Sequence, residues 1–233
     1  MKRIDHPLSY YVDLIEADIP FALARYGDGE FAAMRGVQGA NCDGHEYFPD
    51  LGEDLRRAVL AKRPYFYAIG PKALEEQAAD TWLAAHGVDI QWHNADVFRD
   101  ASVAGKLYPL VQALRGRRML YVGPRHVCRL VQEWLACDTL VISASNCYLH
   151  KSAILEHIRL FLRGSHRPTI VGLSAGPTAN VLVDELWQDV GAVTLIDFGS
   201  IWDVYAGVQS RSYMRKGRYD WERLYRINSR GEA

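Results

Sequence analysis

No two cysteines in this chain are spaced as C-x-x-C. None of the four, Cys42, Cys128, Cys137 and Cys147, stands at a zinc-type interval from histidine. Zinc-ribbon and thioredoxin-like chemistries are thereby excluded. Cys128 and Cys147 lie in or beside apolar segments, where a thiol behaves as a small hydrophobe, so free thiols in a reducing compartment are expected. Long apolar runs are missing too, since none approaches the ~18 residues of a membrane-spanning helix. The opening MKRIDHPLSYYVDL puts charge and proline where a signal peptide needs an apolar core. The expectation is a cytoplasmic protein. Net charge is also lacking: 27 Lys and Arg against 28 Asp and Glu give −1, so no global field draws the molecule to nucleic acid or an anionic membrane. No internal repeat and no low-complexity linker occurs. What is present, 49% hydrophobic and 24% charged residues in 233, suits one sizeable α/β domain or two small ones.

Short β-rich runs alternate with longer helical patterns. Strands are expected at Phe21–Tyr26, Tyr65–Ile69, Ile90–Trp92, Met119–Val122, Thr139–Ser143, Thr169–Leu173 and Val193–Ile196. Helical spacing of apolar residues marks Leu51–Ala61, Ala73–His86, Val103–Leu114, His126–Leu135, Leu149–Leu162 and Thr178–Val190. Continuous apolar strands between amphipathic helices imply a doubly wound, mostly parallel sheet covered on both faces. Residues 1–210 read as one such domain, and 211–233 as a basic, aromatic C-terminal tail.

Three junctions run from strand through Gly-Pro into helix, at Gly70-Pro71, Gly123-Pro124 and Gly176-Pro177. Proline suits the first helical position, because the amide it forfeits has no intrahelical partner there. Helix starts at the carboxyl edge of an α/β sheet favour phosphate. Gly-Pro is also a common strand-to-helix turn with no ligand at all. The last junction adds hydroxyls at Ser174 and Thr178.

The stretch ARYGDGEF, Ala24 to Phe31, places Asp28 and Glu30 around one glycine, just after Arg25. Residues two apart on an extended chain project to one side, so both acids are expected to converge on a hard cation such as Mg2+ or Mn2+, which takes carboxylates together with substrate phosphates. Gly27 and Gly29 keep bulk away, and Arg25 suits a phosphate or one of the acids. The competing reading has Asp28 capping a short helix that begins near Glu30, with both acids at its positive end. A dinucleotide fingerprint is rejected. The next strand starts only at Tyr65, too far for the second acidic strand that fingerprint requires.

RYGDGE, followed by LSAGPTANVLVDEL and LIDFGSIWDVY, resembles the GT-D glycosyltransferases, a family once catalogued as a domain of unknown function. The likeness runs from Arg25 to Tyr205. It implies a Rossmann-like fold and transfer of a sugar from a nucleotide sugar, typically UDP-linked, with a divalent metal. It makes Asp28 and Glu30 the D-x-E metal pair, matches Gly176, Pro177 and Thr178 to the family's turn, and matches Asp197 and Gly199 to its late I-D-x-G segment. Ser145 and Asn146 become nucleotide contacts, and Arg125 takes a place in the middle segment. Ser200 stands where many relatives have histidine, a departure beside the expected sugar and acceptor positions.

Other candidates are weaker. Asp96, after His93-Asn94-Ala95, is a general base or a cap. Cys147 and His150 lack a thiol-enzyme signature. Asn41 to Asp50 is a lid or a surface loop. The tail's four aromatic residues among arginines suit either packing or stacked bases, the latter leading to hydroxymethylated DNA as acceptor. The expected activity is metal-dependent sugar transfer to a hydroxyl of a glycan, a glycoprotein or such a base. The rivals are a non-catalytic nucleotide-binding protein and a metal-dependent phosphoesterase.

Overall fold

Alternation with period two divides the strands between two cores. Ala22, Ala24 and Tyr26 pack to one side and Leu23 to the other, and Leu120 and Val122 oppose Met119 and Tyr121 in the same way. A computed structural model describes residues 2–164, 167–189, 193–215 and 217–232. Its eight strands are β1 (Lys2–Ile4), β2 (Ala22–Tyr26), β3 (Phe66–Ile69), β4 (Gln91–Asn94), β5 (Arg118–Gly123), β6 (Asp138–Val141), β7 (Thr169–Leu173) and β8 (Val193–Asp197). They form one sheet in the order β1-β4-β3-β2-β8-β7-β5-β6, with every pair parallel.

The helices, in chain order, are α1 (Leu8–Glu16), α2 (Asp28–Met34), α3 (Pro49–Leu60), α4 (Pro71–Gln77), α5 (Ala79–Ala85), α6 (Val97–Val103), α7 (Tyr108–Leu114), α8 (Arg125–Leu135), α9 (Lys151–Leu162), α10 (Thr178–Asp189) and α11 (Trp221–Arg230). The expected end of α10 at Val190 lies outside the described residues. One face of the sheet carries α2, α3, α4, α5, α9 and α10, and the other carries α1, α6, α7, α8 and α11. Connections toward the β1 edge cross the first face, and those toward the β6 edge cross the second. All therefore share one hand, as twisted parallel strands demand. Burying a side chain such as Leu23, Phe31 or Met34, each fully enclosed, contributes roughly 1.5–3 kcal/mol.

The doubly wound expectation holds, with differences of detail. The helix expected over Ala73–His86 is two, broken at Ala78, whose φ of 45 is left-handed. The pattern at Val103–Leu114 is the end of α6 and all of α7. β1 has only three residues, two of them charged, and exists because it pairs with β4. Among the described residues no helix is long and apolar enough to cross a membrane.

The C-terminal segment folds back onto the second face. Asn228, fully buried on α11, accepts from the Leu107 amide at 2.9 Å and donates to the Ser102 carbonyl at 2.8 Å and the Tyr205 hydroxyl at 2.7 Å. Leu224 joins the core there.

Candidate active site

From β2 the chain turns into α2 on the first face. From β8 it turns through Ile201, Trp202 and Tyr205 into the second core. Neighbouring strands whose exits diverge to opposite faces leave a crevice at their carboxyl ends, the place where open α/β sheets bind ligands. A cleft of about 640 Å³ opens there. Arg25, Gly27, Asp28, Gly29 and Glu30 line it, together with the Gly70-Pro71 turn, Gly176, Asp197 and Gly199.

The two acids do not converge by strand alternation, contrary to expectation. Asp28 and Glu30 are the first and third residues of α2, where positions two apart are not same-face neighbours, yet both line the cleft. The capping expectation is also inverted. Gly27 is the cap position, and Glu30 reaches back to accept from the Gly27 amide at 2.7 Å. Burial pushes the Glu30 carboxyl up to about 7, against the pull of backbone amides, and Asp197 and Asp28 add to the rise. Tyr47 lies over the same turn. A Cβ on Gly29 would sit 3.3 Å from its hydroxyl, and burial with the two nearby acids pushes the phenol up to about 12.

Asp197 closes β8. Burial raises its pKa, while Arg25, the Gly199 amide and Arg211 oppose the rise; the Gly199 amide donates to Oδ1 at 2.8 Å. Arg25 Nε donates to the Ala95 carbonyl at 2.8 Å. Gly199 has φ 56, and a Cβ there would come within 2.0 Å of Arg25 Nη1. Only glycine lets the guanidinium lie flat on that turn beside Asp197.

The loop after α2 roofs the cleft. Asn41 Oδ1 accepts from the Asp43 and His45 amides, both at 3.0 Å. Arg211 bonds Asp43 and lies 2.9 Å from Cys42 Sγ. His45, buried and with its pKa lowered by burial, accepts at Nδ1 from the Asn146 amide at 3.2 Å. Its ring covers Gly176, where a Cβ would approach Nε2 within 2.7 Å.

The remaining expected residues are scattered. Asn146 spends its side chain on Glu46, accepting from the backbone amide at 2.8 Å and donating to Oε1 at 3.1 Å. Neither it, Ser145 nor Arg125 lines the cleft, and Arg125 is exposed on α8. Thr178 and Pro177 are buried behind Gly176. Of the three Gly-Pro junctions, only Pro71 is the first residue of its helix; Pro124 and Pro177 precede their helices by one residue. Cys147 is buried, 3.3 Å from the Ala175 carbonyl, and its pKa is raised by burial, which removes the thiol alternative. Sequence reasoning missed Lys72, Arg99, Arg211 and Tyr213 in the cleft. Lys72 follows the Gly70-Pro71 turn and was legible from it. Arg211 and Tyr213 lay in the supposed tail.

This architecture has solved counterparts. A domain of unknown function 1792, described as having a distinct glycosyltransferase fold, matches at 18% identity over 98% of this chain and 90% of its own, with a TM-score of 0.64. The chain has that glycosyltransferase fold. A selenomethionine-substituted structure of domain of unknown function 1792 agrees at 18% identity, 97% and 88% coverage and TM-score 0.65. A protein from Streptococcus sanguinis described as a new glycosyltransferase agrees at 16% identity, 96% and 92% coverage and TM-score 0.66. No protein-family model matches the sequence, and no curated protein matches it. Within the glycosyltransferase fold, the β2/β8 cleft is where the acids and arginines of this chain meet.

Proposed function

We propose that the chain is a glycosyltransferase that moves a sugar from a nucleotide sugar, UDP-linked in the first instance, to an acceptor hydroxyl with a divalent Mn2+ or Mg2+ ion as cofactor. The carrying observation is that one cleft of this fold unites Asp28, Glu30 and Asp197 with Arg25, Lys72 and Arg211. The acceptor lies among glycans, glycoproteins and hydroxymethylated DNA bases.

Among the described residues no group of three or more His, Cys, Asp or Glu is arranged to hold a metal ion. The donor set nonetheless fits a hard cation that arrives with its substrate. Two carboxylates are at hand, one Glu30 oxygen being committed to the Gly27 amide, and phosphate oxygens and water fill the other positions of such ions. Burial, with Asp197 and Asp28 nearby, disfavours the ionised form of Glu30, a penalty that a bound cation would offset. Asp28 and Glu30 would hold the ion, which supplies Lewis-acid neutralisation of the diphosphate when bound.

In the transfer the bond from anomeric carbon to phosphate oxygen breaks, the bond to the acceptor oxygen forms, and the proton of the acceptor hydroxyl passes to solvent water. Negative charge collects on the departing diphosphate. Arg25, bonded to the Ala95 carbonyl, and Arg211, bonded to Asp43, face that charge from anchored positions with exposed Lys72 beside them, so little reorganisation of the two guanidinium groups is needed at the moment of reaction. Asp197, one oxygen tied to the Gly199 amide, is left to accept from ribose or sugar hydroxyls.

The test is incubation with a nucleotide-sugar panel and Mn2+, reading released nucleotide and a mass-shifted acceptor. Nucleotide binding without release marks a non-catalytic binder. Phosphate loss from simple esters marks a phosphoesterase.

A further inference from the structure

A second concavity lies outside the transfer cleft. It is a groove of about 410 Å³ between α11 and the turn after β8, walled by Trp221, Tyr225 and Tyr205, flanked by Glu222 and Arg226, and open at Gly207. Its size falls in the ~300–1,000 Å³ range of small-molecule sites.

Its rings are held by their polar tips. Trp221 Nε1 donates to the Met214 carbonyl at 3.1 Å, and the Tyr225 hydroxyl accepts from Trp134 Nε1 at 3.1 Å. The Tyr205 hydroxyl is spent on Ser102 and Asn228. Ring positions are thus fixed from behind before any ligand arrives, which lowers the entropic cost of binding. Trp221 and Tyr225 are one helical turn apart and partly exposed. Beside them Glu222 and Arg226 are exposed and, among the described residues, neither has an ion-pair or hydrogen-bond partner for its side chain. Trp221 and Tyr225, with Tyr205 edge-on to both at 82° and 65°, make an aromatic corner bordered by one free carboxylate and one free guanidinium, which matches the chemistry of a sugar ring: apolar C–H groups against the aromatics, hydroxyls to the charged pair.

The groove adjoins the transfer cleft. Tyr213 lines the cleft, and its ring lies 6.4 Å from that of Trp221. We propose that this groove is a carbohydrate subsite that seats a distal sugar of an oligosaccharide acceptor while the reacting sugar reaches the cleft; this rests on the sugar-transfer reading above. A nucleic acid fits less well. Glu222, in the wall of the groove, opposes a phosphate backbone.

The test titrates the full-length chain with neutral trisaccharides, maltotriose and triacetylchitotriose, following tryptophan fluorescence and saturation-transfer NMR. Binding of at least one is expected, weakened about tenfold by Trp221→Ala and comparably by a Glu222→Gln, Arg226→Gln double variant. The exposed double variant keeps the wild-type melting temperature, which guards against a folding artefact at Trp221. It also keeps wild-type release of nucleotide from the donor, while KM for an oligosaccharide acceptor rises and that for a monosaccharide does not. No trisaccharide binding, equal binding in the double variant, or Trp221-dependent binding of a single-stranded oligonucleotide in place of the sugars overturns the subsite. No nucleotide release by the wild type refutes the transfer reading alone, since trisaccharide binding is measured without donor.

Discussion

At the scale of single residues, Glu30 carries two opposed duties. Its carboxylate ties the Gly27 amide, yet burial pushes it up to about 7 from an ordinary 4.5. The folded chain therefore binds this proton more tightly than the unfolded chain does. The contribution of Glu30 to stability is fully present below pH 4.5 and is lost as pH rises through 7. Glu30→Gln retains an acceptor for the Gly27 amide but cannot ionise. It is expected to abolish donor turnover and to raise the melting temperature at pH 8 by roughly 5 °C, from about 2 kcal/mol after allowance for partial exposure. At pH 4.5 the two proteins should melt together. Calorimetry at both pH values decides, and a Gln variant that melts lower at pH 8 contradicts the burial argument. Gly199→Ala forces a side chain into Arg25 at φ 56. A loss of about 2 kcal/mol or more in urea, with impaired donor turnover, is expected. Arg25 and Asp28 were legible as site residues because unusual chemistry was packed into six positions. Arg211 was not, because its partner Asp43 is 168 residues away in sequence.

At the scale of elements, α11 is the informative case. Its basic and aromatic residues read as a tail, whereas Asn228 makes three buried hydrogen bonds linking α11 to Ser102 at the end of α6, to Leu107 just before α7 and to Tyr205. Asn228→Ala leaves the Leu107 amide and the Ser102 carbonyl without these partners and should cost about 3 kcal/mol in urea denaturation. A cost below 0.5 kcal/mol would mean that the segment is dispensable to the fold. The strands β2, β3, β5, β7 and β8 were legible because each is buried on both faces and reads as a short, mainly apolar run, with polar residues only at single positions such as Arg25, Arg118 and Thr194. β1 was not, because its stability comes from pairing with β4 rather than from its own residues. The break at Ala78 was equally hidden. Alanine is a good helix former, and its left-handed turn answers to packing around α4 and α5 rather than to local preference.

At the scale of the whole molecule, the cleft should couple nucleotide to stability. A ligand that binds only the folded chain stabilises it by mass action. UDP with Mn2+ at about a hundred times its dissociation constant is expected to raise the melting temperature by several degrees, on the order of 2.7 kcal/mol. Asp28→Asn should remove the part that depends on Mn2+. An equal shift with and without Mn2+ in the wild type places the ion outside the donor site.

The sequence by itself determined the layered α/β architecture and the acid pair, because strand burial, helical periodicity and a compact charged motif are local properties of the chain. Tertiary structure alone decided that Asp28 and Glu30 share a helical turn, that Asp197 and Arg211 join them, and that the C-terminal residues wall a groove. Those outcomes follow from where β2 and β8 part company, and adjacency of strands far apart in sequence is written in no single segment.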